Sequence, residues 1–166
     1  MSEPIPDLLA ISAEAVLETM FFTQVVARKP VVNGVMEGVT EKPHLAVRLC
    51  FLGGLESVEG TSTSQPGGHL DLEISREGAQ WIASSFLAAE DGSVPQHRVA
   101  DVICELTNVV CGNVMSSIAS SSGFSMLSPE VIRGTAKEWP HTVHYEESFQ
   151  LERGWLTLRL ALADQK

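Results

Sequence analysis

The chain has 166 residues, of which 44% are apolar, and this is enough to form one sizeable core. Its 21 acidic and 11 basic residues give a net charge of −10, whereas nucleic-acid binding requires a basic surface. We therefore predict a single domain over residues 1–166 that has no nucleic-acid partner.

The first residues and the cysteines predict a reduced, cytoplasmic protein with no membrane insertion. Residues 1–7 contain acids and prolines where a signal peptide has a basic start and an apolar core, and no uninterrupted apolar stretch approaches membrane-spanning length. Cys50, Cys104 and Cys111 lack C-x-x-C spacing and stand among apolar residues. This pattern favours small core residues over disulfides or a zinc site.

The first half of the chain predicts a helix followed by a hairpin. Apolar residues recur at helical spacing over residues 13–28, with Ser12 as the N-cap. Residues 44–52 and 69–75 then alternate between apolar and polar side chains, as strands do. The glycine- and serine-rich stretch 53–68 is predicted to connect them.

The second half predicts two helices and then strands. Residues 77–89 and 99–118 have helical periodicity, and a serine cluster at 120–123 ends the second helix. Extended segments follow near residues 126–132, 142–151 and 155–163. The order of elements predicts an α+β fold, in which two long helices cover one face of a largely antiparallel sheet.

The helix over residues 99–118 has a narrow polar stripe. At about 100° per residue, the stripe occupies a sector of roughly 60° and contains Asp101, Glu105, Asn108 and Gly112. The remaining arc is mostly apolar, so we expect the stripe to face outward. A carboxylate beside a carboxamide can bind a cationic group and orient a water molecule, and Gly112 would let another surface approach the helix. The alternative from spacing alone is an ordinary solvated helix face.

The stripe and a later proline resemble the signature of the CheC/CheX/FliY phosphatases, which is an Asp or Ser, then Glu, then Asn, and a distant Pro. The matching residues are Asp101, Glu105, Asn108 and Pro129, and the 20 residues between Asn108 and Pro129 are slightly fewer than usual. Two stretches around these positions are also similar to the family pattern, residues 108–113 and 127–134.

The resemblance implies a CheX-like domain with the CheC-like two-layer fold and one site per chain. A second copy of the signature on the first helix would need an asparagine at the position of Phe21, after Glu14 and Glu18. Phenylalanine has no hydrogen-bonding group, so only the later helix is expected to carry a site.

The resemblance also implies a function and roles for the site residues. The chain would be a hydrolase that removes the aspartyl phosphate of a CheY-like response-regulator receiver in chemotaxis or two-component signalling. Glu105 would pair with a receiver lysine, and Asn108 would orient the attacking water. Asp101 and Gly112 would contact the partner, and Pro129 would hold the chain direction. The chain would need no cofactor of its own, because Mg²⁺ would belong to the receiver.

Two alternatives remain open. The chain could be a catalytically silent module that docks a receiver through the same helix. It could also be a dimeric scaffold, since CheX-like proteins dimerise through their sheets and terminal strands with free edges can pair. The rate of receiver dephosphorylation and the oligomeric state in solution distinguish these alternatives.

Overall fold

The computed structural model describes residues 4–53, 66–118, 123–133 and 142–163, in which three helices pack on one face of a seven-stranded sheet. The helices are α1 (Ile5–Met20), α2 (Arg76–Leu87) and α3 (Gln96–Ile118). The strands are β1 (Val25–Lys29), β2 (Val31–Val32), β3 (Val35–Met36), β4 (Leu45–Gly53), β5 (Pro66–Ile74), β6 (Phe124–Met126), β7 (Glu130–Val131), β8 (Thr142–Leu151) and β9 (Trp155–Ala163). The predicted α+β class is confirmed.

The large sheet has the order β1-β8-β9-β5-β4-β6, and β7 also pairs with β4. Every pairing among the described strands is antiparallel. The predicted hairpin is confirmed as β4 and β5, with Leu45 opposite Ile74, although residues 54–65 of its connection lie outside the described residues. The predicted terminal strands are confirmed as β8 and β9.

The core lies between the sheet and the helices. Alternate residues of the central strands are fully buried, and α3 faces them with an equally buried row that includes Ile103, Leu106 and Val114. Full burial of one such side chain stabilises the fold by about 1.5–3 kcal/mol, so this row fixes how α3 is rotated on the sheet. The opposite side of α3 is therefore turned outward.

The first helix begins earlier than the predicted range of 13–28, because α1 starts at Ile5. Its N-cap is Pro4, whose carbonyl accepts a hydrogen bond from the Leu8 N–H at 3.0 Å. Pro6, at the second helical position, presets the helical φ. Ser12 lies inside the helix and is not its cap, so the predicted start was wrong.

The predicted end of the first helix was also wrong. The helix stops at Met20, and Phe22 takes a φ of 53°, outside the helical range. Val25–Lys29 then forms β1 and pairs with β8. The valines in this segment are β-branched, which favours a strand once a partner strand is available.

The later helices agree better with the prediction. Ser75 caps α2 through its side chain, and α3 begins three residues before the predicted start, after Pro95. The serine cluster predicted to end α3 falls mostly on residues 119–122, which lie outside the described residues. Within the described ranges, α3 alone is long and apolar enough to cross a membrane, by length and composition only, and 50% of its most apolar window is buried inside the fold.

Candidate active site

An open groove of about 380 Å³ lies between α3 and the segment that joins β6 to β7. It brings together four residues predicted from the sequence, although Pro129 is far from the other three along the chain. The groove is lined by Asp101, Cys104, Glu105, Asn108, Met126, Leu127, Ser128 and Pro129. The outward direction predicted for the polar stripe therefore agrees with the structure.

The helix side of the groove presents unpaired polar groups. Asp101 and Glu105 are exposed, and Asn108 is half-buried. Within the described part of the chain, neither Glu105 nor Asn108 uses its side chain in a hydrogen bond or an ion pair. Both groups are therefore available to another molecule.

The strand side of the groove is shaped by a local irregularity in the sheet. Met126 lies opposite Phe51, and Glu130 lies opposite Arg48. The chain therefore advances four residues from β6 to β7 while β4 advances three. One extra residue in a pair of strands forms a bulge, which bends the chain and redirects side chains. Pro129 lies in this bulge, where its missing N–H costs no ladder hydrogen bond.

Gly112 does not line the groove, although it belongs to the predicted stripe. A methyl group added at Gly112 would meet the Met126 Cε at 3.6 Å and its Sδ at 3.9 Å. The surface that approaches the helix at this glycine is therefore β6 of the same chain. The predicted partner contact at Gly112 stays a prediction.

The prediction that all three cysteines are core residues was right for Cys111 alone. Cys111 is buried, and burial raises its pKa to about 12. Cys104 and Cys50 are half-buried, and Cys104 lines the groove. Burial also raises the pKa of Cys104, which keeps its thiol neutral and makes it a poor nucleophile.

The groove contains two carboxylates and no basic side chain. It suits a cationic group of a partner, and it has an amide that can both donate and accept hydrogen bonds. A bound phosphoryl group would need its balancing positive charge from elsewhere, because like charges repel. Among the described residues, no three His, Cys, Asp or Glu side chains are grouped so that they could hold a metal ion.

Sequence reasoning missed several residues that complete the groove, chiefly Cys104, Met126, Leu127 and Ser128. The signal for Leu127 and Ser128 was present, because they precede Pro129 in the stretch 127–134, which is similar to the family pattern. The segment that contains Leu127 and Ser128 approaches α3 because β6 and β7 pair with β4, which is distant in sequence.

A family model described as chemotaxis phosphatase CheX matches residues 61–150, which is more than half of the chain. The match includes Asp101, Glu105, Asn108 and Pro129. No curated protein sequence matches the chain.

Solved structures are similar over nearly their whole length. Chemotaxis protein CheX from Desulfovibrio desulfuricans has a TM-score of 0.71 and 18% identity, with 95% of this chain and 98% of the other covered. A CheC-like superfamily protein from Shewanella sp. PV-4 has a TM-score of 0.71 and 19% identity, with 99% and 100% covered. A chain of the CheX–CheY–BeF3–Mg²⁺ complex from Borrelia burgdorferi has a TM-score of 0.68 and 15% identity, with 97% and 99% covered. At these identities the likeness shows the fold, and the predicted CheC-like architecture is confirmed.

Proposed function

The chain belongs to the family of the chemotaxis phosphatase CheX, and we propose that its reaction takes place in the groove between α3 and residues 126–129. As a member of this family, it is a hydrolase that removes the aspartyl phosphate of a CheY-like receiver domain. One observation supports this location above others: Pro129, which is distant in sequence from Glu105 and Asn108, lines the same groove as these two residues.

Asn108 is the residue that acts on the attacking water in this proposal. Its amide can accept a hydrogen bond from a water molecule and donate one to a phosphoryl oxygen. The helix turn beneath it is rigid, because Leu106, Thr107 and Val110 are buried in the core. A rigid amide places the water in line with the acyl phosphate, and such positioning provides most of the catalysis when the transition state is loose.

Glu105 provides the charge that orients the partner. Its exposed carboxylate has no partner within the described chain, so it can pair with a receiver lysine. Asp101, one turn earlier on the same stripe, adds a second negative charge and is proposed as a partner contact. Exposed ion pairs add little to affinity, so we assign these carboxylates mainly to orientation and encounter rate.

Gly112 and Pro129 support the site in different ways. Pro129 holds the direction of the bulge through its restricted φ, which keeps the strand side of the groove in place. Gly112 is next to Met126, which lines the groove and packs on α3. A direct contact between Gly112 and the receiver remains part of the proposal.

The proposed reaction needs no cofactor bound to this chain. The related complex from Borrelia burgdorferi contains Mg²⁺ and BeF3 together with CheY. We place Mg²⁺ in the receiver, where it would balance the charge of the phosphoryl oxygens that the acidic groove does not neutralise.

We also propose that the protein acts in the cytoplasm as a homodimer. β1 is at one edge of the large sheet and pairs with β8 alone among the described strands, so its other side is a candidate for pairing between two copies. Light scattering that gives the mass of a monomer at high concentration would contradict the dimer.

The experiment is the decay of a phosphorylated receiver from the same organism, with and without the protein. We expect Asn108→Ala to slow the catalysed decay by on the order of 100-fold, because a positioning group for the transition state is lost. Glu105→Ala should mainly raise KM, because the partner is oriented less well.

The controls are matched to the chemistry of the two changes. Asn113→Ala removes an exposed asparagine of α3 that does not line the groove, and Glu18→Ala removes an exposed glutamate of α1. Both should behave as the unmodified protein. Full activity of Asn108→Ala would contradict the mechanism, and receiver binding without faster decay would support the silent docking module.

A further inference from the structure

The two sides of the groove differ in chemistry. The α3 side is acidic, whereas the segment on the strand side has two solvent-exposed aliphatic residues, one in the groove and one just after it. Leu127, which lines the groove, is 48% exposed, and Val131 in β7 is 41% exposed. Single exposed aliphatic residues are common on protein surfaces. These two lie on either side of Pro129, in one segment beside the proposed active site.

The backbone holds both residues in place. The Leu127 N–H donates to the Cys50 carbonyl at 2.9 Å, and the Ile132 N–H donates to the Ala46 carbonyl at 2.8 Å. Val131 itself is paired with Val47 of β4. Because β4 anchors the segment on both sides of the bulge, Leu127 and Val131 stay at the surface.

We propose that Leu127 and Val131 form an apolar rim that selects the receiver, by packing against an aliphatic or aromatic side chain beside its phosphorylated aspartate. This inference rests on the proposed function, because the rim continues the surface on which the receiver docks. An ion pair between Glu105 and a receiver lysine would discriminate weakly between receivers, since exposed ion pairs contribute little to affinity. Burial of apolar area contributes more and depends on the partner's surface.

The test separates KM from kcat for dephosphorylation of one receiver. Leu127→Ser should raise KM about fivefold, because the half-exposed leucine loses the burial gained on docking, and kcat should stay within twofold. Leu127→Met should retain the KM of the unmodified protein, since methionine keeps apolar volume. Val131→Thr should raise KM less than Leu127→Ser, because only one methyl group is replaced.

A matched control uses the same substitution elsewhere. Val32 is 55% exposed in the separate β2–β3 hairpin, so Val32→Thr should leave KM and kcat unchanged. An unchanged KM for both Leu127→Ser and Val131→Thr would overturn the rim, and so would a loss confined to kcat.

The experiments distinguish an error in the proposed rim from an error in the proposed function. If the unmodified protein accelerates the decay of no receiver, the proposed function is wrong. Calorimetric binding of a receiver activated with BeF3 then decides the rim by itself. Weaker binding of Leu127→Ser than of Leu127→Met supports it, whereas equal affinities, or no binding by the unmodified protein, overturn it.

Discussion

Substitution of Gly112 by alanine should stabilise the protein. Gly112 is in the interior of α3, which has 23 residues, and alanine is favoured over glycine there by about 1 kcal/mol. The added methyl group would be 3.6 Å from the Met126 Cε, which is an ordinary contact distance, so no clash offsets the gain. We expect the free energy of unfolding to rise by about 1 kcal/mol and the midpoint by roughly 2–4 °C.

The same substitution at Gly78 should have the opposite effect. This glycine is in the first turn of α2, and its added methyl group would be 3.0 Å from the Ser75 Oγ and 3.3 Å from the Trp155 carbonyl oxygen. The Ser75 hydroxyl also accepts the Gly78 N–H at 3.1 Å, so displacement would weaken the helix cap. Crowding in a packed site typically destabilises by about 1–3 kcal/mol.

Urea unfolding followed by far-UV circular dichroism measures both variants on the same scale. A Gly112→Ala protein less stable than the unmodified one would refute the reasoning, and so would a Gly78→Ala protein that gains stability. The KM of Gly112→Ala for the receiver tests whether Gly112 also contacts the partner. A raised KM would support the predicted partner contact, whereas an unchanged KM would leave Gly112 in contact with Met126 alone.

Two further predictions concern stability. Burial lowers the pKa of His69 to about 4 from 6.5, so the unfolded chain takes up the proton first as the pH falls. The contribution of neutral His69 to the free energy of unfolding should be fully present above pH 6.5 and be lost as the pH falls towards 4, by about 3 kcal/mol at most. Urea titrations of His69→Gln should show a flatter dependence of this free energy on pH in the same window. Ser75→Ala removes the acceptor of the Gly78 N–H at 3.1 Å and the Trp155 N–H at 3.0 Å. It should cost about 2–3 kcal/mol by the same assay, and a loss below about 0.5 kcal/mol would contradict this.

The sequence was most informative where the periodicity was long. The apolar arc of α3 repeats over many turns, so its buried row and its polar stripe could both be predicted. The short hairpin of β2 and β3 was missed, although Asn33 and Gly34 between the strands are a standard turn pair, and both have positive φ. Two-residue strands are too short for alternation to be recognised, so only the turn signal was available.

The groove could be predicted only in part, because its two sides have different origins. The helix side depends on local spacing, so Glu105 and Asn108 were found together. The strand side depends on the offset between β4 and the segment around Pro129, which is a tertiary pairing. An extra residue in that pairing cannot be recognised from local spacing, and therefore Met126 and Leu127 were not predicted to line the site.

Comparison of α1 with α3 gives a physical reason to expect a single site. Glu14 and Glu18 are on α1 at positions that correspond to the stripe of α3, but Phe21 follows them where the signature has asparagine. Phe21 is fully buried and stacks on Phe86 with 4.8 Å between ring centroids. An asparagine amide buried there without a hydrogen-bond partner would cost about 1–3 kcal/mol in addition to the lost packing. The end of α1 therefore contributes to the core, whereas the corresponding turn of α3 presents Asn108 to the groove.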